Sequence, residues 1–464
     1  MVGLDTRIVI IGLPQVSEQL GANIEQAIWI TQAYVLTNTL MLSIIGRLGD
    51  IFGRVKIYTY GFALFTVGSA LTSLGQNPTE VIIFRGIQGV GAALVFTNSI
   101  AIATDAAPRT QLGLFLGINQ IAFRAGALLG LTLSGLILSF LDWRALFYIN
   151  IPIGIFGTFW ARRQLRETAL LDKDRHIDWV GFALFTAFLF CLMVGLTYGA
   201  YGTSGLTTSY VLLTSAAILI VIFLFYERRV DCPLIYLKAF RIREVSGGLF
   251  ALLFNIITWT GVLLLLSLQF QLVDHLGPLQ AGLRILPFEI AFLAIGPLSG
   301  RLADKYGQSQ FTIIGLILCS IALFLFSTTS ATTPYLILSI YMTTLGVGTG
   351  LFVAPNLRAI MSSVPPERHG IGSALFTLFL NIGLTVSLNL AVLVMSFTAP
   401  YNLITQIIGA ANPQSIPAGG IELFLASLKN TYFVFAIVNT FAIIPAVIGG
   451  RIKKAQTGVP MVEG

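Results

Sequence analysis

Asp5, Arg7, Arg85, Arg124 and Glu289 stand inside long apolar stretches, and these are the residues that could do chemistry. A charge within a bilayer costs roughly 2.5–3.5 kcal/mol on insertion scales, so each needs a compensating role. Asp5 and Arg7 fall in GLDTRIVIIGLP; two apart on a helix, they point to different faces and do not simply neutralise each other. Asp5 facing a polar cavity would accept a proton; at the membrane surface it would have no such role. Arg85, in FRGIQGVGAALVF, either snorkels or lies deep. At depth it stays charged and holds nearby carboxylates ionised until a substrate or proton competes. Arg124, in INQIAFRAGALLG, sits mid-span with Asn119 and Gln120 one turn earlier, where it would line a central cavity or pair with an acid. Glu289, in LPFEIAFLAIGPLSG, is either a protonatable group whose charged form burial penalises or an interfacial cap after Pro287. Asn119, Gln120, Asn356 and Asn381 are candidate substrate contacts, with helix-to-helix hydrogen bonding as their alternative role.

Other chemistries find no support. The cysteines (Cys191, Cys232, Cys319) and histidines (His176, His275, His369) are too scattered for a metal site or a disulfide framework. No paired carboxylates, nucleophile–base set or GxxxxGK[ST] loop occurs, so neither an enzyme, a bound cofactor nor ATP drive is expected.

The elements that must position these residues are membrane helices. The 464 residues are 56% hydrophobic and 10% charged, with mean hydropathy +0.86. That is too little charge to cover a soluble protein of this size. About fourteen apolar runs approach the length needed to span a bilayer, without the alternation of a membrane barrel. The fold class expected is an all-α polytopic membrane protein. Its first run is short before Asp5, which suggests a truncated first helix or a start codon assigned too late.

A repeat organises the runs. GRLGDIFGRVK (46–56) returns as GRLADKYG (300–307), matching Gly46/Gly300, Arg47/Arg301, Leu48/Leu302, Asp50/Asp304 and Gly53/Gly307. A weaker pair is GVGAALVFTNSIAI (89–102) and GVGTGLFVAPNLRAI (346–360). Two like halves are a common plan among transporters. The first charged turn follows span 2 and its echo follows span 10, so two extra spans lie between six-helix halves. The expected division is 1–161, 162–244 and 245–464. With the charged turns placed in the cytoplasm, most of the 27 Lys and Arg fall on that side. Only Arg144, Arg284 and Lys429 face outward, so both termini are expected to be cytoplasmic. The formal charge of +7 is therefore topology rather than a nucleic-acid patch. Within the turns, Gly46 and Gly53 allow a sharp reversal, and Asp50 (with Asp304 as its echo) can sit at the positive end of a neighbouring helix. Arg54 would hold Asp50 charged, giving a cytoplasmic latch between halves. The loop 398–430 carries Pro400, Pro413, Pro417 and Gly419-Gly420 and is expected as the longest external connection.

These segments resemble the major facilitator superfamily, in its fourteen-span drug:proton antiporter branch. GRLGDIFGRVK is similar to the loop motif after helix 2, RGIQGVGAA to the helix 4 motif with its buried arginine, and LDTRIVIIGLP to the branch's helix 1 motif. WRALFYINIPIG (143–154) and LGPLQAGLRILP (276–287) resemble later signatures. The resemblance implies two six-helix bundles rocking about a central small-molecule site in the cytoplasmic membrane, driven by protons; the protein is expected to act as a monomer. It implies coupling by Asp5 and Arg85 and a latch of Asp50 and Arg54; it does not extend to Glu289 or Arg124. Two departures stand out. In helix 5, Leu131 replaces the usual proline and Ser134-Gly135 a glycine pair; in helix 1, Arg7 replaces an uncharged residue. Extra positive charge at Arg7 and Arg124 disfavours cationic drugs. A symporter for an anionic or zwitterionic solute, or a transport-inactive sensor, is the alternative.

Overall fold

In a computed structural model of the chain, the described residues are 1–106, 112–167, 178–199, 205–230, 237–364, 369–399, 403 and 419–450. Among them the regular structure is helical. The first group is α1 (Val2–Leu20), α2 (Ile24–Phe52), α3 (Arg54–Leu74), α4 (Pro78–Ala106), α5 (Leu112–Phe140), α6 (Ala145–Tyr148) and α7 (Asn150–Gln164). Then come α8 (Trp179–Gly199) and α9 (Leu206–Glu227). The last group is α10 (Arg243–Leu272), α11 (Pro278–Arg284), α12 (Leu286–Tyr306), α13 (Gln308–Ser327), α14 (Tyr335–Ser363), α15 (His369–Ser396) and α16 (Gly420–Gly450).

Local chemistry sets the boundaries. Gly21 ends α1 in the left-handed conformation at φ 61°, and Asn23 with Gln26 forms a reciprocal capping box that starts α2. The repeated turns fold alike. A single residue joins α2 to α3 (Gly53, φ 99°, ψ 129°) and another joins α12 to α13 (Gly307, φ 98°, ψ 142°). These angles suit only glycine comfortably, which is why the residue recurs in both copies.

Packing repeats as well. α2 and α3 lie on α4 as α12 and α13 lie on α14, and α1 lies on α5 as α10 lies on α15. The close approaches rest on glycine. A Cβ on Gly91 would overlap the Phe65 backbone of α3, and one on Gly348 would meet Gly315 and Cys319 of α13. Between the halves, α5 meets α11 and α12, with Gly135 against Leu279, and α2 meets α15. The α8–α9 hairpin sets α8 against both α2 and α15.

Ten described helices are long and apolar enough to cross a membrane; the fourteen spans expected are not confirmed by that measure. α10 is the hub, with 72% of its apolar window buried, whereas α9, at 17%, presents itself to lipid. One expectation needs revision. α16 begins at Gly420, so part of the stretch read as an external loop is helix; most of 400–418 lies outside the described residues.

Candidate functional site: a buried ion pair among six helices

Asp5 sits in the first turn of α1, which is drawn onto α5 by close backbone contacts. Gly3 abuts the Phe123 carbonyl, Gly130 abuts that of Leu4, and Ser134 Oγ donates to the Ile8 carbonyl at 2.7 Å. Ser134, a departure from the family pattern, therefore fastens α5 to α1. On α4, Gly89 permits contact with the Tyr34 and Thr37 region of α2, and Gly68 of α3 lies against the Gln88 backbone. These approaches leave the side chains of Asp5, Arg85 and Gln88 converging in one place.

The convergence is an ion pair wrapped in hydrogen bonds. Arg85 Nη1 donates to Asp5 Oδ2 at 2.7 Å, and the two side chains are 1% and 0% exposed. Arg85 Nη1 also donates to Gln88 Oε1 at 2.7 Å, and its Nε donates to the Ile30 carbonyl at 3.2 Å. The other carboxylate oxygen, Asp5 Oδ1, accepts from Gln88 Nε2 at 2.8 Å and from Asn150 Nδ2 at 3.0 Å. Gln88 Nε2 reaches Ser69 Oγ at 2.6 Å. The guanidinium lies 4.3 Å from the Tyr34 ring centroid and 5.6 Å from that of Phe147. Helices α1, α2, α3, α4, α6 and α7 all contribute. Both readings of Arg85 and Asp5 as surface residues are thereby excluded.

Physically, the cluster is neutral only as a pair. A proton on Asp5 would leave the guanidinium with neutral acceptors and two rings but no counter-charge, and an uncompensated buried charge is strongly unfavourable.

Glu289 belongs to the other half. α11 and α12 are separated by Ile285 alone, itself in helical conformation, so the pass runs from Pro278 to Tyr306 with Glu289 well inside it. The residue is 2% exposed and its Oε1 has no hydrogen-bond partner. Phe288 and Phe292 flank it in sequence, and the Phe288 ring stacks on Trp259 of α10 at 5.5 Å. This is a buried group rather than an interfacial cap.

The asparagines divide. Asn119 donates to Ser99 at 3.3 Å and Asn356 to the Gly248 carbonyl at 3.0 Å, both helix-to-helix bonds within one half. Asn381 donates to Asn38 Oδ1 at 2.6 Å, linking α15 to α2 across the halves. The side chains of Arg7, Gln120, Arg124, Asp50 and Asp304 lie outside the described residues. At the hinge beside Gly53, Arg54 Nη1 bonds both carboxylate oxygens of Asp105 at 2.6 Å, and the Val55 amide donates to Glu167 Oε2 at 3.0 Å. Gly46 is half-buried on the last turns of α2. The clasp made by Arg54 and Asp105 thus lies within the first half rather than between halves. Gln88, Asn150, Ser69, Tyr34, Asp105 and Glu167 were not anticipated. Gln88 was visible as the residue three beyond Arg85, and Asn150 as the polar residue in WRALFYINIPIG. Among the described residues no group of three His, Cys, Asp or Glu could hold a metal ion.

A multi-pass helical protein with a repeated hinge and an ion pair sealed inside one half has the makings of a membrane transporter. The chain belongs to the Major Facilitator Superfamily, whose family model matches residues 1–388. It is a transporter of that family, moving small molecules across a membrane. Among its relatives is the riboflavin transporter RibZ of Clostridioides difficile (strain 630), 28% identical over 82% of this chain and 82% of that protein. Another is the tetracenomycin C resistance and export protein of Streptomyces glaucescens, 28% identical over 82% of this chain and 71% of that one. The human organic anion transporter MFSD10 (TETRAN) shares the fold, with a TM-score of 0.65 at 14% identity, covering 96% of each chain.

Proposed function

We propose that the protein is a proton-coupled antiporter that exports small amphipathic, drug-like compounds by alternating access. Its working parts are a first bundle (1–161), two added helices with their linkers (162–244) and a second bundle (245–464), and it acts as a monomer in the cytoplasmic membrane. The buried Asp5–Arg85 pair carries this reading. A proton entering from outside loads Asp5 or Glu289. Loading of Asp5 removes the counter-charge from Arg85, loosens α1 from α4 and favours release of substrate outside. Loss of the proton to the cytoplasm re-forms the pair and resets the site. The name of the tetracenomycin C exporter supports the direction.

The test uses inverted membrane vesicles acidified inside by respiration, with a pH-sensitive dye. Riboflavin, tetracenomycin C and neutral, anionic and cationic amphipaths are added in turn. A collapse of the gradient that depends on the protein and is lost in Arg85→Ala is expected, strongest for neutral compounds. Substrate movement that proceeds unchanged without a proton gradient would overturn the proposal. Glu289→Gln is expected to spare binding while uncoupling transport from pH; unchanged coupling removes Glu289 from the mechanism.

A further inference from the structure

The two halves each tie their first helix to their sixth through an asparagine, but with opposite amide polarity. In the first half, Asn150 of α7 donates its Nδ2 to the Asp5 carboxylate on α1 at 3.0 Å, and its own Oδ1 is buried without a hydrogen-bond partner. In the second half, the residue on α10 is uncharged. There Asn255 Nδ2 donates at 3.0 Å to Oδ1 of Asn439 on α16, and Thr258 Oγ1 approaches the same oxygen at 3.4 Å. The Asn439 amide nitrogen points instead to the Leu316 carbonyl (2.9 Å) and Ser320 (3.0 Å) on α13. Facing a carboxylate, the asparagine offers N–H. Facing a donor, it offers oxygen. That is what the inventory of amide and carboxyl groups requires, because an ionised carboxylate only accepts whereas a protonated one must also donate.

We propose that Asn150 is a positioning residue that reads the protonation state of Asp5. With Asp5 ionised, the amide donates to it. When Asp5 takes a proton, the new O–H needs an acceptor, and the Asn150 amide turns to present its unpartnered Oδ1. The proton ends on Asp5, and no other bond is made or broken.

The position suits a relay. Asn150 opens α7 immediately after Ile149, the single residue that separates α7 from α6. A change of amide orientation there acts at an existing break in the pass and not in mid-helix. Phe147 on α6 faces the Arg85 guanidinium, so both sides of the break touch the ion pair. Among the described residues, the titratable groups around Asp5 are Arg85 from α4, Tyr34 from α2 and the amino group of Met1 just before α1; Ser69 of α3 and Gln88 of α4 join them without charge. Gln88 Oε1 is committed to Arg85, whereas Asn150 Oδ1 and the Tyr34 hydroxyl are both buried without a hydrogen-bond partner; of these two residues, Asn150 is the one already bonded to Asp5.

The inference rests on the proton-coupled reading, and its test separates the two. Purified full-length protein carrying isotope-labelled asparagine side-chain amides is compared by infrared difference spectroscopy between alkaline and acidic pH. A labelled-amide difference band is expected in the native protein, absent in Asn150→Leu and in Asp5→Asn, and retained in Asn439→Leu. The pH profile of transport in Asn150→Leu is expected to move towards alkaline by about one to two units, because the carboxylate loses a charge-assisted donor. Asn150→Ser, whose hydroxyl can donate or accept, should recover part of that shift and guards against a folding defect. A band that persists in Asn150→Leu, or that disappears equally in Asn439→Leu, would overturn the assignment, as would superimposable pH profiles. Native transport with no pH dependence would sink the antiport reading, while the infrared band would still decide the role of Asn150.

Discussion

Removing either member of the Asp5–Arg85 pair should destabilise the protein unequally, and the structure says in which direction. Asp5→Leu leaves a guanidinium that cannot lose its charge. It keeps Gln88 Oε1 at 2.7 Å, the Ile30 carbonyl at 3.2 Å and the Tyr34 face at 4.3 Å, but nothing negative. An uncompensated charge at 1% exposure should cost about 3–5 kcal/mol at any accessible pH. Arg85→Leu leaves a carboxylate that retains two amide donors, Gln88 at 2.8 Å and Asn150 at 3.0 Å, and that can discard its charge by taking a proton. Its cost should be about 1–3 kcal/mol and should shrink in acid. The double substitution removes both charges and should return to within about 2 kcal/mol of the parent, since apolar replacement of a buried pair is often neutral. Cys319, free and fully buried, is a natural reporter: a thiol-reactive dye labels it as the protein unfolds in detergent during heating. At roughly 2 °C per kcal/mol, the Asp5→Leu loss should be well resolved. Simple additivity of the two single losses in the double variant would mean that the pair is not coupled. Equal losses for both single variants in acid would refute the reasoning about which charge can escape.

Three other outcomes follow from particular positions. Gly91→Ala drives a methyl into the Phe65 backbone and should abolish stable expression, whereas Gly300→Ala, with nothing within 4 Å of its added Cβ, should be silent in thermal unfolding. Gly53→Ala and Gly307→Ala both force a side chain to φ near +98°, costing about 1–2 kcal/mol each. Gly53→Ala should lose more, because its Cβ also displaces Glu167 from the Val55 amide; equal melting temperatures would contradict this. Asp274, in the turn between α10 and α11, has its carboxyl pushed above the ordinary carboxylate range by burial, against the opposing pull of Arg284 and His275. Its contribution to stability is therefore complete below about pH 4 and lost as pH rises through the raised value. Asp274→Asn should flatten that decline, and a variant that instead melts earlier than the parent at neutral pH would show that the 3.2 Å bond to Arg284 dominates.

The parts legible in the sequence were those where one residue type answers one physical demand. Gly53 and Gly307 recur because their backbone angles admit little else. Arg85 stood out because a charge in an apolar run needs a partner. Partner choice was not legible. Asp105 and Glu167 meet the start of α3 only through tertiary placement, and nothing local distinguishes them from other acids of the charged turns. Asn150 is separated from Asp5 by most of the first half, and its role depends on α7 returning beside α1. The span count was not decided by apolarity alone. Among the described residues ten helices meet the length and hydropathy measure, and α10, the most buried of them, has the same mean hydropathy as α9, the least buried. Apolarity therefore marks a helix as membrane-spanning without saying whether it faces lipid or the interior.

The second half supplies a control on what the charges are for. There, α10 and α16 are joined through Asn255, Thr258 and Asn439, with Ser320 beneath them, and among the described residues no ionised group takes part. The first, third and sixth helices of the second half are thus joined through neutral groups, whereas the ion pair of the first half links its first and fourth helices. A buried pair carries a desolvation penalty that its attraction only partly offsets, so it is poor evidence of a stabilising role. If packing were all that the first half needed, a neutral network like the second half's would serve at lower cost. Asp5 and Arg85 differ from their neutral counterparts in one respect that matters, which is that a single proton changes their net charge. On the proposed antiport, that asymmetry would put the Asp5 step in the first half and leave Glu289 as the candidate proton carrier of the second.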